Sequence, residues 1–237
     1  MSNQSKLAAL ASTGVTKAEL NNIDGGTARG TTAVADGDGF LTNDGGTMRM
    51  TKVDTLATYM GTKITGGSLV FIASSGTINN ATTVDFTQFD SSAYDAYEFR
   101  MIDVLPATDG TSIVARTSSD TSSHSYDSGA NDYIEKGDAG TTDSYGFLNG
   151  SDAVGGAANE GVNFIVEVLN PHTTNYTKVS TTRGAYNYTN GVPRTSDQIT
   201  AVFVRKEAAQ VNAIRFFFLS GNITSGEIVM YGIANGS

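Results

Sequence analysis

The chain has 237 residues, 39% hydrophobic and 16% charged, with 27 glycines, no cysteine and a formal net charge of −9. That length holds one large domain, or one domain with a small appendage, and the balance of glycine, aromatics and few charges excludes a disordered chain. The missing cysteines exclude disulfides, zinc–thiolate sites and a thiol nucleophile, and the acidity disfavours nucleic acid and anionic membrane surfaces as partners.

The opening MSNQSKLAALAS lacks the apolar core of a signal peptide, and no run approaches the roughly 18 apolar residues of a membrane span. The expectation is a chain made and folded in a cytosol, without membrane insertion. Lys6–Ala11 and Lys17–Leu20 read as short helical starts. Glycine clusters follow at Asp24-Gly25-Gly26, Asp36-Gly37-Asp38-Gly39 and Asp44-Gly45-Gly46. Phe40-Leu41-Thr42 and the alternating Thr47-Met48-Arg49-Met50 flank the last of these, which predicts a two-stranded ribbon turning at Asn43–Gly46. Thr51–Met60 then places Val53, Leu56, Ala57 and Met60 at i, i+3, i+4 and i+7, a short amphipathic helix capped by Thr51 and stopped at Gly61. One ribbon and one helix cannot bury their apolar faces alone. Residues 1–65 are therefore expected to be an attachment and oligomerisation region, with Val53, Leu56, Ala57 and Met60 in the interface.

From residue 66 the texture changes to strands. Leu69–Ala73, Thr82–Phe86, Tyr94–Val104 and Ser112–Thr117 are separated by Ser/Gly and Asp-Gly turns. In the third of these, Tyr97, Phe99, Met101 and Asp103 are expected on one face. Residues 118–161 are a long Ser/Gly/Asp-rich stretch carrying Tyr126, Tyr133, Tyr145 and Phe147. Strands return at Val162–Leu169, Asn175–Ser180 and Ile199–Lys206. The last two apolar runs, Ile214–Leu219 and Ile228–Ile233, read as a hairpin in the middle of a sheet, because Phe216, Phe217 and Phe218 demand cover on both sides. About ten turn-separated strands without a long helix predict a mainly β fold, an antiparallel jelly-roll-like β-sandwich over residues 66–237.

Signals for chemistry are sparse. Asp36–Thr47 resembles a calcium loop only at first sight, since its fifth, sixth and twelfth positions are Phe40, Leu41 and Thr47 where oxygen ligands and a glycine are needed. His124 and His172 stand without partners at metal-ligand spacing, and no nucleophile elbow, phosphate loop or zinc-helix motif occurs. The expectation is a chain that is not an enzyme and carries no metal and no cofactor. Loop tyrosines offer a different chemistry. Tyr126, Tyr133 and Tyr145 in one loop and Tyr186 and Tyr188 in another sit among Asn, Asp, Ser and Gly, a pairing suited to stacking on a polar partner such as a glycan. The other reading is that these rings anchor long loops or line a subunit interface.

Two passages together resemble bacteriophage virion proteins. Ala18–Gly25, Val34–Asp38 and Asn43–Met48 are similar to attachment modules of tail-fibre proteins. Tyr94-Asp95-Ala96-Tyr97 and the closing Gly221–Gly226 and Tyr231-Gly232-Ile233 resemble the β-sandwich domain of phage structural proteins. The resemblance implies a virion component, often trimeric and exposed on the particle, whose partners are other copies and other virion proteins. Two functions stay open: a short fibre or tail-tip projection contacting host surface glycans, or a capsid decoration protein with a purely structural role.

Overall fold

The computed structural model describes residues 32–63, 69–135, 142–150, 152–189, 191–194 and 201–234. The helical starts expected at Lys6–Ala11 and Lys17–Leu20 lie outside them. The chain divides into two units, Met1–Thr65 and Gly66–Ser237.

In the first unit, β1 (Gly39–Asp44) and β2 (Thr47–Lys52) pair antiparallel, with Asp44 opposite Thr47. Gly45 and Gly46 both take positive φ, as a two-residue hairpin turn requires, and the Asn43 side chain accepts the Gly46 N–H at 2.7 Å. Helix α1 (Val53–Lys63) follows without a break. It begins one residue later than the Thr51 cap predicts, because Thr51 and Lys52 finish the ribbon. It also runs through Gly61, since one glycine weakens a helix by only about 1 kcal/mol. Val53 and Leu56 are half-buried while Ala57 and Met60 are exposed, so the expected stripe is only partly covered within the chain.

The second unit is built of β3 (Leu69–Ser74), β4 (Val84–Phe86), β5 (Tyr94–Pro106), β6 (Ile113–Ser118), β7 (Tyr133–Glu135), β8 (Thr142–Asp143), β9 (Gly146–Phe147), β10 (Val162–Leu169), β11 (Lys178–Asn187), β12 (Pro193–Arg194), β13 (Ala201–Arg205), β14 (Ala213–Phe218) and β15 (Ile223–Ala234). One sheet runs β3-β15-β5-β10-β11-β13-β7-β8, with β12 paired to β11, and the other runs β4-β14-β6-β9. All pairings are antiparallel. The fold of this unit is mainly β, two antiparallel sheets face to face. Phe86 and Phe216 of the smaller sheet meet Phe99 of the larger at ring distances of 5.3 and 5.1 Å, and Ile214, Phe218, Met101, Phe164, Ile228 and Met230 complete the buried layer.

The last two strands do not form the hairpin that their sequence suggests. β14 belongs to the smaller sheet and β15 to the larger, between β3 and β5. The connector instead crosses from one layer to the other. It is held beside the β5–β6 crossing, where the Leu219 N–H donates to Ser112 O and the Ala107 N–H to Asn222 O. Two stacked arches result, because β5 pairs with β15 and β6 with β14. The triplet Phe216–Phe218 gets its double cover this way: Phe216 and Phe218 face the interior, and Phe217 faces out beneath the Arg116 side chain.

A second difference lies in β5. Asp103 takes a positive φ of 48° and the register against β10 and β15 slips there. This bulge breaks the alternation, so Asp103 leaves the face of Tyr97, Phe99 and Met101, and Val104 is buried in its place. Asn163 clamps the bulge by accepting the Asp103 N–H and donating to its carboxylate.

Candidate functional site

The five tyrosines separate into two groups. Tyr133 and Tyr186 are corrections to the sequence reading, because neither is a loop ring. Tyr133 lies in β7, fully buried, its ring edge-on to Phe203 and its hydroxyl accepting the Thr117 N–H at 2.8 Å. Tyr186 lies in β11, buried against Phe164, and donates to the Asp152 carboxylate at 2.6 Å. Both are packing residues with a satisfied polar tip. Tyr188 is half-buried against the core. Sequence could have found Tyr186: the alternation Val179, Thr181, then Tyr186 and Tyr188 continues the strand past Ser180, with Thr182 as the extra residue of a bulge.

Tyr126 and Tyr145 are half-buried, and each lies beside an arginine of the smaller sheet, Tyr126 by Arg215 and Tyr145 by Arg116. The outer face of that sheet is ordered by strand register. Asp85 pairs with Arg215, and Arg215 with Arg116. The β6–β9 register (Ala115 with Gly146), carried one residue further, sets Tyr145 opposite Arg116. Asp85, Arg215 and Arg116 thus form one rung across three strands, and Tyr145, in the bend just ahead of β9, continues its line. At about 4.8 Å per strand spacing the line from Asp85 to Tyr145 is about 14 Å long. Beside it lies an apolar rung of Phe217, Val114 and Phe147.

The charges on the polar rung are unequally matched. Arg215 makes a two-pronged pair with Asp85, at 2.8 and 2.6 Å, and stacks its guanidinium 4.0 Å from the centre of the Tyr126 ring. Arg116 donates from Nε to the Ser144 carbonyl at 2.9 Å and lies 5.0 Å above the Phe217 ring. Among the described residues it forms no ion pair. Burial, then the neighbouring Asp85, pushes the Tyr126 hydroxyl up to about 12, so the ring is neutral at physiological pH. Tyr145 is likewise raised, by burial first and then by Asp143 and Glu135. Its ring stands edge-on to Phe147 at 5.2 Å.

Elsewhere the polar clusters are structural. Arg205 is fully buried and donates to Asp127 at 2.6 Å, to the Glu207 carboxylate and to the Ala209 carbonyl, which ties the 119–132 loop to the end of β13. Asp127, Asp132, Lys206 and Glu207 line an open depression of about 330 Å³ above it. Asp103, Asn159, Glu160 and Ser225 line a second of about 270 Å³ at the β5 bulge. Among the described residues no three His, Asp or Glu side chains gather to hold a metal ion. No protein-family model matches the chain, and neither the curated proteins nor the solved structures contain a match to it.

Proposed function

We propose that the chain is a non-enzymatic structural protein of a bacteriophage virion, a surface projection of the short-fibre or tail-tip type that assembles through its first unit. The observation that carries this reading is the apolar surface of that unit. Residues opposite one another in an antiparallel pair share a face. Leu41, Met50 and Met48 therefore crowd one side of the ribbon, each more than half exposed, and Tyr59 and Met60 stand out from α1. A ribbon and an 11-residue helix that leave this much apolar surface in water need cover. A second copy supplies a matching surface, and the resemblance to fibre attachment modules supports three copies around one axis. The interleaved sheet orders, β3-β15-β5-β10 against β4-β14-β6-β9, support a jelly-roll assignment for the second unit, with β7, β8 and β11–β13 as additions.

The test is the mass of the full-length protein in solution, by light scattering at micromolar concentration. Three copies are expected, and Met50→Asp together with Leu41→Asp is expected to give monomers with a folded sandwich. A monomeric wild type refutes the assembly. The decoration reading is separated by locating the protein on intact particles by electron microscopy: capsid surface for decoration, tail for a fibre or tip.

A further inference from the structure

We infer that the outer face of the four-stranded sheet binds an acidic saccharide, with Arg116 as the residue that takes the sugar carboxylate. This deepens the reading above, on which the choice of a surface glycan as ligand rests.

The starting point is an energetic oddity. Arg116 and Arg215 are direct cross-strand partners, and like charges so placed repel each other. Asp85 neutralises Arg215 with both oxygens, but Arg116 meets no carboxylate among the described residues. In a chain with 24 acids against 15 cations, acidic partners for a surface arginine are easy to supply. Arg116 is instead fixed by neutral contacts, the Ser144 carbonyl at Nε and the Phe217 ring under its plane. Those contacts orient the guanidinium and use one of its five N–H groups. A held guanidinium with an unsatisfied charge is a ready fork for a carboxylate.

The neighbours narrow the ligand class. Tyr145 beside Arg116 and Tyr126 beside Arg215 give each end of the arginine pair an amphipathic ring, suited to stacking on a sugar and bonding its hydroxyls. Asp85, at the far end of the rung, adds acceptor oxygens for hydroxyl donors. A line of about 14 Å accommodates two to three sugar residues at about 5 Å each, the spacing that also separates adjacent strands. The acids nearest Tyr145 are engaged: Glu135 accepts the Phe147 N–H and Asp143 the Ser144 N–H. The net charge of −9 slows the approach of an anion, but screening over about 8 Å at physiological salt confines that effect to long range.

The experiment titrates full-length protein with trigalacturonic acid in 0.15 M salt by calorimetry and by NMR. Neutral galactotriose, triglutamate peptide and sodium sulfate serve as comparisons. Trigalacturonate is expected to bind, with shifts at Arg116, Tyr145 and Tyr126, and the three comparisons at least tenfold more weakly. Arg116→Gln is expected to reduce affinity at least tenfold at unchanged melting temperature. Arg116→Lys, which keeps the charge but not the fork, is expected to recover only part. Arg183→Gln, on the other sheet, is expected to bind as the wild type does. No binding, equal binding of galactotriose, or an unaffected Arg116→Gln overturns the proposal. Equal binding of triglutamate or sulfate overturns the saccharide. Oligomer mass measured on the same sample separates failure here from failure of the assembly reading.

Discussion

The hydroxyl of Tyr97 lies 2.8 Å from His172 Nε2 and accepts the Asp90 backbone N–H at 2.6 Å. The tyrosine oxygen thus bridges the Asp90 backbone and the His172 ring, and the imidazole tautomer decides which of the two side chains donates. Phe89 and Tyr94 pack around the pair, at ring distances of 4.4 and 5.8 Å from Tyr97. Burial lowers the His172 pKa, opposed by Asp90 and Asp95, and pushes the Tyr97 hydroxyl up to about 12.

The first prediction is a pH dependence. Because the folded-state pKa of His172 lies below that of the unfolded chain, the unfolded chain binds the extra proton first. Stability is then full above the unfolded value of about 6.5 and falls as pH drops through it towards the folded value. Melting temperatures between pH 8 and 5 should show this decline, and His172→Gln should flatten it. A parallel decline in both proteins would remove His172 as the cause.

The second concerns the tyrosines. Tyr133→Ala and Tyr186→Ala empty core positions and should each cost about 3–5 kcal/mol by the measure of buried aromatics. Tyr126→Ala and Tyr145→Ala, at half-buried positions outside the core, should cost clearly less. Denaturant midpoints for the four variants test the ranking.

The third concerns Gly146. A Cβ there would lie 2.1 Å from the Phe203 ring, which itself packs on Tyr133. Gly146→Ala should destabilise by about 1–3 kcal/mol through overpacking. Phe203→Leu should make room and recover part of that loss in the double variant. Additive losses would show that the two sites do not touch.

The fourth concerns Arg205. With no exposed side-chain surface and four acceptor atoms around it, Arg205→Met should cost about 3–5 kcal/mol by stranding the Asp127 carboxylate. Arg205→Met with Asp127→Asn should be less damaging than the sum of the single changes. Hydrogen exchange of residues 119–132 in each variant would show whether the loop detaches before the sheets open.

Sequence made the strands legible where alternation or apolar runs are strong. Tyr97, Phe99 and Met101 read inward and are inward; the glycine pair at 45 and 46 reads as a turn and is one. Pairing partners were not legible, because a polar Gly/Ser connector serves a hairpin and a crossing between layers equally well, as Ser220–Asn222 demonstrates. Nor was parity beyond the Asp103 bulge, which one extra residue reverses without any change of composition. The row of Asp85, Arg215, Arg116 and Tyr145 joins positions up to 130 residues apart, and only register brings them into line. Tyr133 misled for a related reason. Its neighbours are loop-like, and its burial is decided by Phe203, 70 positions later, through the pairing of β7 with β13.

The two stacked arches bear on how the protein is made. β15 closes the gap between β3 and β5, and β14 that between β4 and β6, so the edge strands β3 and β4 wait for residues 213–234 before they can join their sheets. A ribosome must deliver residues 213–234 before β3 and β4 can join their layers, while the ribbon and the helix of the first unit need only local contacts. Nascent chains on one message would thus offer their first unit to one another before any sandwich exists. A premature stop ahead of residue 213 would release a chain in which β3 and β4 have lost the strands they pair with.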